Sequence, residues 1–258
     1  MSLVFVKFGG SLITDKTKPY TPRVEVIERL ARELAAALRR TTSRVLLGHG
    51  SGSFAHTSAA KYGIAKGMRG KRGLQGFARV HHDASRLNHI VIHALLGAGV
   101  PAVPVPPCAS AVAHARSLAA WSHEPMLRLL SAGLVPVVYG DVVLDLSQGA
   151  SVLSTEALFA YLAPRLHPTR VLVLGETDGV LDDNGNTIPE ITRANYAKHL
   201  PAIKGARGTD VTGGMRAKVA ALLSIADVAP CIIINGMREG ALERALLGKS
   251  VVGTWVRA

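Results

Sequence analysis

The chain is short of cysteine, of aromatic residues and of acidic residues, and each shortage closes off a class of function. Its two cysteines, Cys108 and Cys231, lie far apart in apolar surroundings. They are too few and too distant for a disulfide framework, and both are expected to be reduced core residues of a cytoplasmic protein rather than a disulfide or metal pair. Aromatic residues make up only 5% of the 258 positions, so the chain lacks the stacking platform on which single-stranded nucleic acid is held. It has no uncharged apolar run of about 18 residues or more, and no membrane span is expected. The opening "MSLVFVKFGG" has neither a basic n-region nor a long apolar h-region, so it does not read as a secretory leader.

The deficit of acidic residues leaves a net charge of +12. A basic balance can mean nucleic acid. Here, however, the cations are mostly dispersed, with one local cluster in "KGMRGKRG" (Lys66 to Gly73). That distribution suits small, highly charged anions, and neither nucleic acid nor a membrane is expected as a partner. With 48% hydrophobic content over 258 residues, the chain can build one large domain or two small lobes around a proper core.

Apolar, β-rich runs alternate with helical patterns. Strands are expected at Leu3–Val6, Arg44–Leu47, Ala102–Val105, Val135–Tyr139, Arg170–Leu174, Cys231–Asn235 and Val251–Val256. Their nearly continuous apolar character marks strands buried on both faces. Between them, Thr21-Pro22 reads as an N-cap with proline at the first helical position. Ile27, Leu30, Ala31, Leu34 and Leu38 then make one apolar stripe. Ser85–Leu96 and Gly214–Ile225 read as further helices, and "LDDNGNTI" (Leu181 to Ile188) as a hairpin around Asn-Gly. The βαβα order predicts an α/β fold, a mainly parallel sheet covered on both faces.

In such sheets ligands bind beyond the carboxyl ends of strands, and three glycine clusters fall there: "KFGGS" after the first strand, "GHGSGSFAH" (Gly48 to His56) after the second, and "GTDVTGGMRAK" (Gly208 to Lys218) before a helix. Glycines let backbone N–H groups approach phosphate oxygens, and a following helix N-terminus adds positive potential. Three such loops, each with a Lys or His nearby, point to a phosphate site. Lys7 and Lys16 flank the first loop, an anion cradle with a cation on each side. Two familiar phosphate motifs fail: "GKS" at Gly248 lacks its first glycine because Glu243 stands there, and "GHGSGS" has Ser53 where a dinucleotide fold needs glycine.

Together "KFGGSLITDK", "GHGSGSFAH", "SRLNHIVIHALLGAGVPAVPV", "VPVVYGDVV", "ETDGV" and "DVTGGMRAKV" resemble the amino acid kinase superfamily and, within it, the isopentenyl phosphate kinases. The motifs stand in the right order from Lys7 to about Asn235. The resemblance implies a three-layer αβα sandwich with an open, mainly parallel central sheet. It implies a single domain over 1–258, with a phosphoacceptor lobe at about 1–165 and a nucleotide lobe at about 166–258. It also implies transfer of the γ-phosphoryl of Mg-ATP to isopentenyl phosphate, with dimethylallyl phosphate as a related acceptor, in a cytoplasmic homodimer. By resemblance, Lys7, Gly9, Gly10, Ser11 and Ser51 cradle the ATP phosphates. Asp178, Gly213, Gly214 and Lys218 fall on the nucleotide side, Lys16 stabilises the transferring group, and Gly50, Ala55, His56 and Thr155 hold the acceptor. Mg²⁺ is expected on the ATP phosphates and water, and no protein metal ligand is assigned.

The residues themselves support such chemistry. Phosphoryl transfer needs positioning and charge neutralisation, which two lysines around an anion cradle supply. A phosphate monoester, with a second pKa of about 6, attacks without a general base; it needs a donor to orient it, the part assigned to His56. Asp141 is expected to orient Lys16 or Lys218 or to organise the centre, or else to cap a turn. His49 is read as supporting its loop, and His81-His82-Asp83 as solvated surface or helix packing. Three departures from the family pattern stand out: Ala55 where glycine precedes the histidine, His49-Gly50-Ser51-Gly52 in place of consecutive glycines, and Ser154-Thr155-Glu156 where relatives show Ser-Gly-Asp. They bear on the acceptor, so a fosfomycin or phosphonate kinase, another small-acid kinase of this fold, and a non-catalytic basic binding protein remain alternatives.

Overall fold

The computed structural model describes residues 2–201, 203 and 214–258. The chain opens with β1 (Leu3–Phe8), a short helical turn α1 (Gly10–Ile13), α2 (Val24–Leu38) and β2 (Arg44–His49). Helices α3 (Gly52–Tyr62) and α4 (Gly70–Gly97) lead to β3 (Ala102–Pro104), β4 (Val112–His114) and β5 (Ser117–Ala120). Next come α5 (Glu124–Ser131), β6 (Val135–Tyr139), β7 (Asp141–Asp145), β8 (Gly149–Leu153) and α6 (Thr155–Leu166). The remainder holds β9 (Arg170–Gly175), β10 (Glu190–Ile191), α7 (Arg193–His199), α8 (Gly214–Ile225), β11 (Cys231–Asn235), α9 (Ala241–Leu246) and β12 (Gly253–Val256).

Among the described residues the central sheet runs β10-β12-β11-β9-β1-β2-β6-β3. Every pair is parallel except β11 with β12, so the expected three-layer α/β sandwich with a mainly parallel sheet is what forms. The two-residue alternation of β1 sorts its side chains between the layers. Val4, Val6 and Phe8 face Leu30 and Leu34 of α2 and Leu87 and Val91 of α4. Phe5 faces the other way, into Leu158 and Phe159 of α6 and Leu222 of α8, its ring centred 4.9 Å from that of Phe159. Lys7 shares the parity of Phe5, so its stem runs up the α6 side of the sheet and its ammonium emerges at the carboxyl end of the strand.

Several details differ from the sequence reading. A second sheet, β5-β4-β7-β8, was not expected, because its strands are short and only partly apolar. Helix α2 begins at Val24 rather than Pro22, and Thr21 instead bonds back to the Pro19 carbonyl at 3.0 Å. Helix α4 reaches back to Gly70, well before Ser85. Gly76 is not a turn residue: a Cβ there would lie 2.5 Å from Cβ of Tyr62, so it lets α4 press closely on the end of α3. The Asn184-Gly185 segment does close a bridge between Leu181 and Thr187. None of the described helices is long and apolar enough to cross a membrane.

Candidate active site

The loops after β1 and β2 touch backbone to backbone. A Cβ on Gly10 would stand 2.8 Å from the Gly52 nitrogen, and one on Gly50 would stand 2.7 Å from the Gly10 nitrogen. Side chains are therefore excluded where the loops meet. Gly9 is pinned to the neighbouring strand by its N–H, which donates to the Leu174 carbonyl at 2.9 Å. The junction floors a cleft of about 680 Å³ lined by Lys7, Gly9, Gly10, Ser11, Lys16, Gly50, Ser51, His56, Thr155, Gly214 and Lys218, all drawn from the sequence-predicted set. Helices α3, α6 and α8 begin at this cleft, at Gly52, Thr155 and Gly214, so backbone N–H groups and the positive ends of helix dipoles converge on it.

The charge arrangement contains a residue that sequence reasoning missed. Lys7 is ion-paired with Glu156 in the first turn of α6, and both side chains are more than nine-tenths buried. Burial alone would raise the Glu156 pKa, but the Lys7 and Lys218 ammonium groups outweigh it and hold the carboxyl below its ordinary range. Glu156 is thus an anion shared by lysines from β1 and α8. A signal was present: an acidic residue two positions after the serine N-cap Ser154, at the head of a helix that follows a strand. Asp15, Arg23 and Glu176 also line the cleft. Arg23 and Glu176 form an ion pair at 2.6 Å, and the hydroxyl and amide of Thr17 keep Asp15 below the usual carboxylate range.

Three predicted site residues stand elsewhere. Asp141 does not line the cleft. It is fully buried at the start of β7, its Oδ2 accepting from His81 Nδ1 at 2.9 Å and its Oδ1 from the Val142 amide at 2.8 Å. The organising carboxylate beside the lysines is Glu156. Ala55 sits on the buried side of α3 with Ala59, Val80, Ala84 and Tyr139, so its methyl group fills core space rather than crowding an acceptor. Asp178 is held outside the cleft lining by Arg238 and by Asn235 Nδ2 at 3.1 Å. Thr155 touches the cleft, but its hydroxyl donates to the His49 carbonyl at 2.6 Å, leaving its backbone to face the opening. Gly213 lies outside the described residues.

The histidines separate into different tasks. His56 lines the cleft from α3 and is 9% exposed. His49 is fully buried; it stacks on Tyr139 with ring centroids 5.4 Å apart, and its Nε2 is 3.1 Å from Asn88 Oδ1. Burial lowers its pKa, and a neutral ring suits this scaffold position. His81 is not solvated surface: its hydrogen bond to Asp141, and secondarily to Cys108, raises its pKa to about 10. Asp83 is no surface group either, since it is fully buried beside Ser58 and Arg79. Cys231 is a core residue as expected, whereas Cys108 is only half-buried.

A fold of this topology, with glycine loops, lysines and helix N-termini gathered at the carboxyl edge of the sheet, defines a phosphotransferase cleft. The chain belongs to the amino acid kinase family, whose profile it matches over residues 2–235. Among its relatives, an isopentenyl phosphate kinase of Methanothermobacter thermautotrophicus is 36% identical, with 98% of each chain covered. Another, from Haloferax volcanii, is 38% identical, covering 87% of this chain and 89% of that one. A structure described as an isopentenyl phosphate kinase superposes with a TM-score of 0.83 at 32% identity, covering 98% of this chain and 99% of that chain.

Proposed function

We propose that the protein phosphorylates isopentenyl phosphate to isopentenyl diphosphate at the expense of ATP. The observation that carries this reading is the cleft itself, in which Lys7, Lys16, Lys218 and His56 surround a floor of bare backbone, together with full-length relatives of that activity. An oxygen of the acceptor phosphate attacks Pγ, the bond from Pγ to the β-γ bridging oxygen breaks, and ADP departs with that oxygen. No general base is required, because the acceptor oxygen is already unprotonated.

The lining of the cleft supports the following division of labour. Gly9, Gly10, Ser11 and Ser51 cradle the ATP phosphates, and Lys7 and Lys218, fixed by Glu156, neutralise them from the sheet side. Lys16, on the loop after α1, stabilises the transferring group, while His56 and Gly50 orient the acceptor. Mg²⁺ would supply further charge neutralisation for the phosphates, which suits this anion cradle. It would be held chiefly by the nucleotide and water, since Glu156 is engaged with Lys7. Asp178 acts through Asn235 and Arg238, shaping the edge of the nucleotide lobe. The division into lobes at about residue 165, dimethylallyl phosphate as a second acceptor, and a cytoplasmic homodimer belong to the same reading. The phosphonate-kinase and non-catalytic alternatives are not favoured.

Incubation with Mg-ATP and isopentenyl phosphate, with fosfomycin in a parallel tube, followed by phosphorus NMR, tests the proposal. The expected result is a diphosphate doublet pair in the first tube alone. Turnover of fosfomycin alone would reassign the acceptor, and silence in both would overturn the reading.

A further inference from the structure

Outside the cleft, the structure brings together three groups that the transfer chemistry does not use. A ring nitrogen of His81 on α4, Sγ of Cys108 in the turn at Pro107–Ala109, and a carboxylate oxygen of Asp141 at the head of β7 all lie within 4.8 Å of one another. They come from three separate elements, so their convergence is tertiary and not an accident of neighbouring residues. Nδ1 of His81 faces Asp141 Oδ2 at 2.9 Å, while Nε2 lies 3.4 Å from Ser85 Oγ. A ligating imidazole usually donates its other ring N–H to an outer oxygen, and Ser85 Oγ is the oxygen on that side.

We propose that His81 Nδ1, Cys108 Sγ and Asp141 Oδ2 form a binding site for a divalent cation of the Zn²⁺ class. A thiolate, an imidazole and a carboxylate are a zinc-type set and a poor one for Mg²⁺ or Ca²⁺, which require oxygen ligands. Zinc bonds of about 2.0–2.3 Å place tetrahedral ligands roughly 3.3–3.7 Å apart. The His81–Asp141 pair therefore opens by about half an ångström, and Cys108 moves inward by no more than about 1.5 Å. On binding, the Cys108 thiol releases its proton to solvent and the proton between His81 and Asp141 is displaced. His81 and Cys108 are half-exposed while Asp141 is buried, so water from the open side completes the fourth position. The cation would tie α4 to β7 and to the turn before β4. This site is independent of the kinase reading, and its ligands are not drawn from the transfer machinery.

The test uses the full chain, stripped with chelator and titrated with Co²⁺, whose thiolate complexes give a charge-transfer band in the near ultraviolet, and separately with Zn²⁺ in thermal melts. The expected result is a one-to-one band, competed away by Zn²⁺, with a rise in melting temperature. Cys108→Ser is expected to abolish the band while leaving kinase turnover without metal excess unchanged. His81→Gln is expected to weaken Co²⁺ binding about tenfold or more. A missing band in the folded wild-type chain, or one that survives Cys108→Ser and so belongs to Cys231, overturns the proposal. Metal bound without a thiolate band counts against it too, since it would then lie on other histidines.

Discussion

Replacing Gly10 by alanine adds a single methyl group, and the structure says where it goes. The new Cβ would lie 2.8 Å from the Gly52 nitrogen and 2.9 Å from Gly52 Cα. Both are backbone atoms that cannot rotate away, and the approach falls short of ordinary van der Waals contact by about 0.6 Å. The backbone at Gly10 is not in the left-handed region, so no conformational strain confuses the result. The two phosphate loops must separate by roughly half an ångström. Overpacking of that kind costs about 1–3 kcal/mol of stability. Because misplacement of reacting groups by about 1 Å can cost about 100-fold in rate, kcat should fall about tenfold or more. Gly97→Ala is the control: it lies at the exposed end of α4 with no atom within 4 Å of its added methyl, and should stabilise the chain by about 0.5–1 kcal/mol. Urea denaturation and steady-state kinetics on both variants read the two effects together. If Gly10→Ala keeps wild-type stability and kcat/KM within about twofold, the loops are not held by backbone contact and the account of the cleft floor fails.

Other expectations follow from the charged groups. Glu156→Gln leaves the Lys7 ammonium buried without its counter-ion and should cost about 3–5 kcal/mol, with kcat reduced as Lys7 and Lys218 lose their common anchor. Because the folded pKa of Glu156 is depressed below 4.5, its contribution is present above about that pH and is lost as pH falls through the folded value. The stability gap between wild type and Glu156→Gln should therefore narrow in acid denaturation below pH 4.5, and a constant gap would refute the assignment. His56→Ala should raise the acceptor KM and lower kcat while ATP binding, followed by calorimetry, stays nearly intact; unchanged kinetics would defeat it. Lys16→Ala should act mainly on kcat, through contacts made in the transition state, and a pure KM effect would indicate ground-state binding instead.

The parallel sheet was legible because its strands are buried on both faces and read as apolar runs: Val135–Tyr139 and Cys231–Asn235 form with the expected boundaries. The edge elements were not, because β4 and β5 are only three and four residues long. Phosphate loops were visible as glycine clusters, whereas Gly76 of α4 looked the same in sequence and serves helix packing. Most of the cleft was likewise readable, since loops after strands place their residues by topology. Side-chain direction was the part that failed. Asp141 and Glu156 both stand near the carboxyl edge, and only strand parity and the turn of α6 decide that one faces His81 and the other Lys7.

Glu156 also resolves a difficulty in so basic a cleft. Lys7, Lys16, Arg23 and Lys218 all line it, and without an anion their mutual repulsion would splay the very groups that must be ready for a triphosphate. Glu176 neutralises Arg23 at the rim, and Glu156 neutralises Lys7 and Lys218 in the interior. A buried carboxylate of this kind contributes little net stability compared with an apolar substitute. What it supplies is geometry, because the Lys7 ammonium is held by a buried partner before substrate arrives, in the field of which Lys218 also stands. The incoming phosphates then meet charges already oriented, and little of the binding energy goes into ordering flexible lysine stems. On this argument the basic excess of the chain and its few, well-placed acids are parts of one arrangement: the cations attract the nucleotide and the carboxylates hold them where transfer requires.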